Sequence, residues 1–156
     1  MGQEIERKFL IKNMPQLNKY ECRHLVQGYL CTKPTIRVRK EDNEYYMTYK
    51  GSGFISKEEY NLPLTKEAYE SLIKKSEGNI ISKKRYLIPI GKNKEGNELT
   101  VELDVFEEPF ESLCFAEVEF LSLEEANSFE KPDWLGDDVT DNPEYYNSNL
   151  SRKVLS

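Results

Sequence analysis

Glu4-Ile5-Glu6-Arg7-Lys8-Phe9-Leu10-Ile11 is the stretch on which the reading of this chain turns. Side chains alternate sides along a strand, so Glu4, Glu6 and Lys8 share one face while Ile5, Phe9 and Ile11 share the other. In an ordinary antiparallel strand the apolar face meets a core and the charged face meets water. Charge runs are commonly such solvated faces, and exposed cross-strand ion pairs contribute little.

Later runs argue for something else. Residues 35–40 set Arg37 and Arg39 against Ile36 and Val38, and residues 99–106 set Glu102 and Asp104 against Val101, Leu103 and Val105. Residues 115–120 repeat the acidic pattern at Glu117 and Glu119, and residues 80–89 carry Lys83 and Arg85 on one side. Basic and acidic pairs spaced by two in so many runs fit polar faces that line a shared interior. With 21–32, 45–50 and 57–62 there are eight strand candidates, and short turns between them imply antiparallel pairing. Gln27 and Tyr29 share a face of the second, where Gly28 permits a bend or the close approach of another backbone. The period changes once, where Thr65 caps an apolar stripe running through Ser76 and Gly78 closes it, giving a helix outside a curved sheet. Ser122-Leu123-Glu124-Glu125 has the form of a capping box for a short second helix. The tail from Asp133 is too irregular for assignment. The fold class is mainly β with a few peripheral helices (α+β).

At 156 residues the chain fits one domain, expected over 1–156, with room for a sizeable core. Hydrophobic residues make up 38% and charged residues 32%, a balance that suits a barrel with a wet, charged lumen better than a packed sandwich. A net charge of -6 argues against nonspecific nucleic-acid binding. Cys22, Cys31 and Cys114 are odd in number and lack a CxxC spacing, so they read as reduced thiols. No apolar run has the length of a signal-peptide core or a membrane span. A cytoplasmic protein without a membrane partner is expected.

The chemistry follows from sign and hardness. Carboxylate oxygens bind Mg²⁺ or Mn²⁺, and guanidinium and ammonium groups bind phosphate oxygens, so the two sets together suit a metal-bound di- or triphosphate. His24, the only histidine, lies away from the charged pattern and reads as structural or surface. Cys114 reads as a small strand residue.

Glu4-Ile5-Glu6-Arg7-Lys8-Phe9, Arg37-Val38-Arg39, Lys83-Lys84-Arg85-Tyr86, Val101-Glu102-Leu103-Asp104 and Ala116-Glu117-Val118-Glu119-Phe120 resemble the CYTH, or triphosphate tunnel metalloenzyme, family over nearly the whole chain. The resemblance implies an eight-stranded antiparallel β-barrel forming a tunnel, divalent-metal dependence with Mg²⁺ or Mn²⁺, and a triphosphate-containing small-molecule substrate. It is greatest to small bacterial inorganic triphosphatases, which implies hydrolysis of tripolyphosphate and of nucleoside triphosphates. The family also holds thiamine triphosphatases and class IV adenylate cyclases, and a noncatalytic polyphosphate- or nucleotide-binding module is a further alternative. Homodimer formation is left open. By this resemblance Glu4, Glu6, Glu102, Asp104, Glu117 and Glu119 are metal-ligand candidates, and Lys8, Arg37, Arg39, Lys50, Lys83 and Arg85 are substrate contacts. Glu4, Glu6, Lys8, Arg39 and Glu117 are the catalytic candidates, and Tyr29, Glu59, Arg152 and Lys153 are additional ones. Lys57, Glu59 and Asn61 align with a stretch where relatives often carry Arg-x-Glu-x-Glu, so Asn61 is a departure.

Overall fold

The computed structural model describes residues 2–155. In chain order the elements are β1 (Gln3–Ile11), β2 (Glu21–Thr32), β3 (Thr35–Glu41), β4 (Glu44–Lys50), β5 (Ser56–Pro63), α1 (Lys66–Ile73), β6 (Glu77–Lys92), β7 (Glu98–Phe106), β8 (Cys114–Glu119), α2 (Leu123–Ser128), β9 (Leu135–Asp138) and α3 (Asn147–Ser151). All eight expected strands form. They pair antiparallel in the order β5-β4-β3-β2-β6-β7-β8-β1, and β1 returns to β5 through Gln3↔Glu58, Glu4↔Lys57 and Ile5↔Ser56 to close an eight-stranded barrel. The unassigned tail supplies a ninth strand, β9, laid along the far end of β1 at Phe9↔Asp138 and Ile11↔Leu135.

Period-2 patterning sets the walls. Because every pairing opposes residues of one face, Glu6 lies across from Glu119, Lys8 from Glu117, Glu102 from Glu117 and Arg85 from Asp104. The alternate residues of the same strands, Phe9, Val101, Leu103, Ala116 and Val118, form a buried core outside the wall, covered by Ala126 of α2 and Leu135 of β9. A fully buried Leu, Val or Phe contributes about 1.5–3 kcal/mol, so this outer cluster offsets the cost of a charged interior. Arg7, on the outer face, ties the cover down by donating to Asp138 at 2.8 Å and to the Ala126 carbonyl at 2.7 Å. A second cluster, Tyr29, Ile81, Phe106, Phe110, Phe115 and Leu150, continues the lumen-facing rows past the last charged residues, where α3 packs on them.

Local signals hold with adjustments. Thr65 caps α1 by accepting from Ala68 N, and Ser122 caps α2 by accepting from Glu125 N. The first helix, expected through Ser76, ends at Ile73, and Gly78 stands inside β6 at φ +74 rather than closing the helix. At that angle a side chain is strained in any case, and a Cβ would also collide with the Ser151 carbonyl oxygen, so α3 approaches β6 through the missing side chain. At Gly28 the close approach comes from side chains, not backbone: an added Cβ would sit 2.7 Å from Ile73 Cδ1 and 2.8 Å from Ser76 Oγ. Among the described residues no helix is long and apolar enough to cross a membrane.

Candidate active site

The barrel encloses a cavity of about 1220 Å³ lined from all eight barrel strands and from the tail. β1 brings Glu4, Glu6 and Lys8 to it, β3 Arg37 and Arg39, β4 Lys50, β5 Lys57 and Glu59, β6 Lys83 and Arg85, β7 Glu102, and β8 Glu117 and Glu119. The charged face of the first strand, which an open sheet would give to water, is its buried face: Glu4, Glu6 and Lys8 are 8%, 8% and 7% exposed.

Glu4, Glu6 and Glu119 each offer one carboxylate oxygen, and these lie within 4.8 Å of one another. Burial first, then Glu117 and Glu4, pushes the Glu6 pKa well above its usual value. Burial and the surrounding carboxylates Glu102, Glu4, Glu59 and Glu117 raise Glu119 to about 7. Carboxylates held together at this cost are relieved by a cation. Lys50 supplies part of one, reaching Glu4 Oε1 at 3.0 Å, Oε2 at 3.3 Å and Glu59 at 3.4 Å. The Oε1 contact lacks hydrogen-bond geometry, so Glu4 Oε1 stays buried without a donor. An all-oxygen trio with an orphaned buried oxygen fits a hard divalent ion.

The other acids are differently engaged. Asp104 receives Arg85 bidentately at 2.8 and 2.9 Å and Lys83 at 2.7 Å. Glu117 lies between Lys8 at 3.7 Å and Arg85 at 3.2 Å; burial alone would raise its pKa, but Lys8, Arg85, Lys83 and Lys50 hold it well below the usual range. Glu102 flanks Arg85 at 3.5 Å. Thus Asp104, Glu102 and Glu117 are ion-paired with the cations, and Glu102 and Glu117 also border the trio. Burial brings Lys83 down to about 7 despite Asp104, with Arg85 and Arg39 adding to the effect.

Arg37 and Arg39 differ from Lys8, Lys50, Lys83 and Arg85, which are all ion-paired. Among the described residues neither has a carboxylate within ion-pair distance: Arg37 donates to Thr48 Oγ1 at 3.1 Å, and Arg39 to Gln27 Oε1 at 2.8 Å and Tyr46 Oη at 3.2 Å. Both are buried, and Arg37 Nε has no partner. Burial, then Arg37 and Arg85, lowers the Arg39 pKa. Two adjacent buried guanidinium groups with neutral partners ask for an anion.

Of the additional candidates, Tyr29 lines the cavity with its hydroxyl held by Gln27 at 3.1 Å, Glu59 lines it beside Lys50, and Arg152 stands at its rim. Lys153 is not part of the lining; its carbonyl accepts from Asn79 at 2.8 Å. His24 is outside, 2.7 Å from Glu107. Burial and Asp104 push the Cys114 thiol up to about 11, so it remains protonated near neutrality. Beyond Arg152, sequence reasoning missed the tail's contribution. Tyr145 O accepts from Lys8 at 2.8 Å, Asn147 Oδ1 from Lys83 at 2.9 Å, and the Tyr146 ring lies 5.0 Å from Lys57 Nζ. It also passed over Thr48 and Tyr46, whose alternation with Lys50 was the available signal.

Residues 2–152 match the CYTH domain. The chain belongs to the CYTH domain family. This CYTH chain is 38% identical over 155 residues to an inorganic triphosphatase of Nitrosomonas europaea, covering 97% of this chain and 98% of that protein. It is 37% identical to an inorganic triphosphatase of Acetivibrio thermocellus, covering 96% and 94%. A crystal structure of an inorganic triphosphatase matches with a TM-score of 0.68 at 35% identity, over 98% of this chain and 97% of the other. The family implies a divalent metal, consistent with the Glu4, Glu6 and Glu119 trio.

Proposed function

We propose that this CYTH protein hydrolyses inorganic triphosphate to pyrophosphate and orthophosphate, using Mg²⁺ or Mn²⁺, and that 1–156 forms one triphosphate tunnel domain of the cytoplasm. The observation that carries the reading is the presence, in one cavity, of two buried guanidinium groups without carboxylate partners and a carboxylate trio that fits a hard cation. The names of the full-length relatives support it.

Each residue then has a task. Arg37 and Arg39 grip phosphate oxygens, exchanging neutral partners for charged ones. Lys8, Lys50, Lys83 and Arg85 line the rest of the phosphate track, with Glu117 and Asp104 fixing the cationic heads so that their charges face the substrate without reorganisation. Glu4, Glu6 and Glu119 hold the ion, and Glu102 adds negative charge at that end. When bound, the ion neutralises phosphate oxygens and polarises an attacking water. Substrate anion draws the Lys83 proton equilibrium toward ammonium, so this cation is restored when it is needed. In-line attack requires water on the far side of the terminal phosphorus from the leaving pyrophosphate, and the closed wall holds the chain in one direction.

The test is a product assay with tripolyphosphate and, separately, ATP, each with Mg²⁺, Mn²⁺ or EDTA. Orthophosphate and pyrophosphate from tripolyphosphate, abolished by EDTA, are expected. Cyclic AMP from ATP, or tight binding without phosphate release with any divalent ion, would overturn the reading.

A further inference from the structure

Arg37 is joined to the acidic end by three hydrogen bonds followed by two ion pairs. Its guanidinium donates to Thr48 Oγ1 at 3.1 Å, Thr48 Oγ1 donates to Asn61 Oδ1 at 2.5 Å, and Asn61 Nδ2 donates to Glu59 Oε1 at 3.3 Å. Glu59 continues to Lys50 at 3.4 Å, and Lys50 to Glu4 at 3.0 Å. Thr48 is fully buried, and its hydroxyl has one proton. Since its oxygen accepts from Arg37, that proton goes to Asn61, which turns the Asn61 oxygen inward and its NH₂ toward Glu59. A neutral amide serves both neighbours at once, accepting from Thr48 and donating to Glu59.

Resting on the triphosphatase reading, we propose that Asn61 is a positioning residue that sets the charge of the phosphate track: it steers Glu59 onto Lys50 and leaves the positive charge of Arg37 whole for the substrate. An acid at this position would accept from Thr48 equally well but would face Glu59 oxygen to oxygen. It would also bring a negative charge within two hydrogen bonds of Arg37, one hydrogen bond nearer than the carboxylate of Glu59. The parallel branch through Arg39 shows the alternative, because Tyr46 passes from Arg39 at 3.2 Å to the carboxylate of Glu41 at 2.7 Å. Of the two guanidinium groups, Arg37 is thus the less compensated, and its Nε is the buried nitrogen without a partner. Asn61 itself is exposed at the mouth, so substitution there leaves the packed wall intact.

The experiment measures tripolyphosphate binding by calorimetry in EDTA, where neither turnover nor metal contributes, for wild type, Asn61→Asp, and the charge-restoring pair Glu59→Gln with Asn61→Asp. Thermal melts confirm folding and a parallel hydrolysis assay with Mg²⁺ reports on the wild type. Asn61→Asp should weaken binding by about five- to tenfold, the size of one added charge at a partly solvated site. The double variant should return to within about threefold of wild type, because coupled neighbours are non-additive in this direction. Undiminished binding by folded Asn61→Asp, or a loss that the double variant fails to recover, would overturn the proposal. Wild-type binding in EDTA with no hydrolysis in Mg²⁺ would sink the hydrolase reading and leave the role of Asn61 to be judged by the variants.

Discussion

At the scale of single residues, the lumen is a set of ionisable groups held against their preferences, and pH exposes this. Glu119 titrates at about 7 in the fold against a usual 4.5, so the native state holds a proton that the unfolded chain has released. Its contribution to stability is therefore present below about pH 4.5 and lost as pH rises toward 7. Glu6 and Glu4 shift in the same direction. Lys83 is the opposite case: lowered to about 7 from a usual 10.5, it is neutral in the fold while the unfolded chain keeps its proton, so stability recovers as pH rises from 7 toward 10.5. Ligand-free protein should then show a minimum in melting temperature near neutral pH, a few degrees deep, since solvent on one side of Glu119 damps its share. Glu119→Gln should flatten the acidic limb and leave the alkaline limb in place. Melting curves in EDTA from pH 5 to 10 check this; a maximum near pH 7 in wild type would contradict the titration directions.

At the scale of elements, the tail decides how one end of the barrel is closed, and glycine geometry provides a handle. Gly78 and Gly91 both lie in β6 at positive φ, +74 and +89, but only Gly78 has a neighbour, the Ser151 carbonyl, where a Cβ would stand; at Gly91 nothing lies within 4 Å. Gly91→Ala should cost about 1–2 kcal/mol of backbone strain. Gly78→Ala adds the clash and should cost about 3 kcal/mol or more, with α3 displaced. Equal losses in chemical denaturation would mean that α3 does not seat on β6 as described. The same region marks how far the sequence could be read. Eight strands were legible because alternation is local: Glu102 and Asp104 against Val101 and Leu103 need no knowledge of a partner. β9 was not, since Leu135-Gly136-Asp137-Asp138 has no alternation and pairs with β1 only at its two ends. Gly78 reads as a helix stop in one dimension but works as a contact in three. Likewise the charged pairs announced a polar lumen, while the division of labour among the acids did not follow. Which carboxylates gather and which are taken by Arg85 and Lys83 depends on the β1–β5 closure and the stagger of the barrel, both non-local.

At the scale of the whole molecule, the barrel is turned inside out relative to a sandwich, with its apolar core between wall and cover and its charges within. The central claim is that one lumen accepts a divalent ion and a triphosphate together, each relieving repulsion that the other leaves. A ligand that binds only the native state raises stability by about 2.7 kcal/mol at a hundred times its dissociation constant. Two ligands sharing the lumen should exceed the sum of their separate effects, because the ion screens the trio from the phosphates and the phosphates complete the ion's oxygen shell. The measurement is thermal unfolding in EDTA, in Mg²⁺, in a non-hydrolysable imidotriphosphate, and in both, at saturating concentrations. The account predicts that the combined rise in melting temperature exceeds the sum of the two single rises; a combined rise no greater than that of either ligand alone would contradict it.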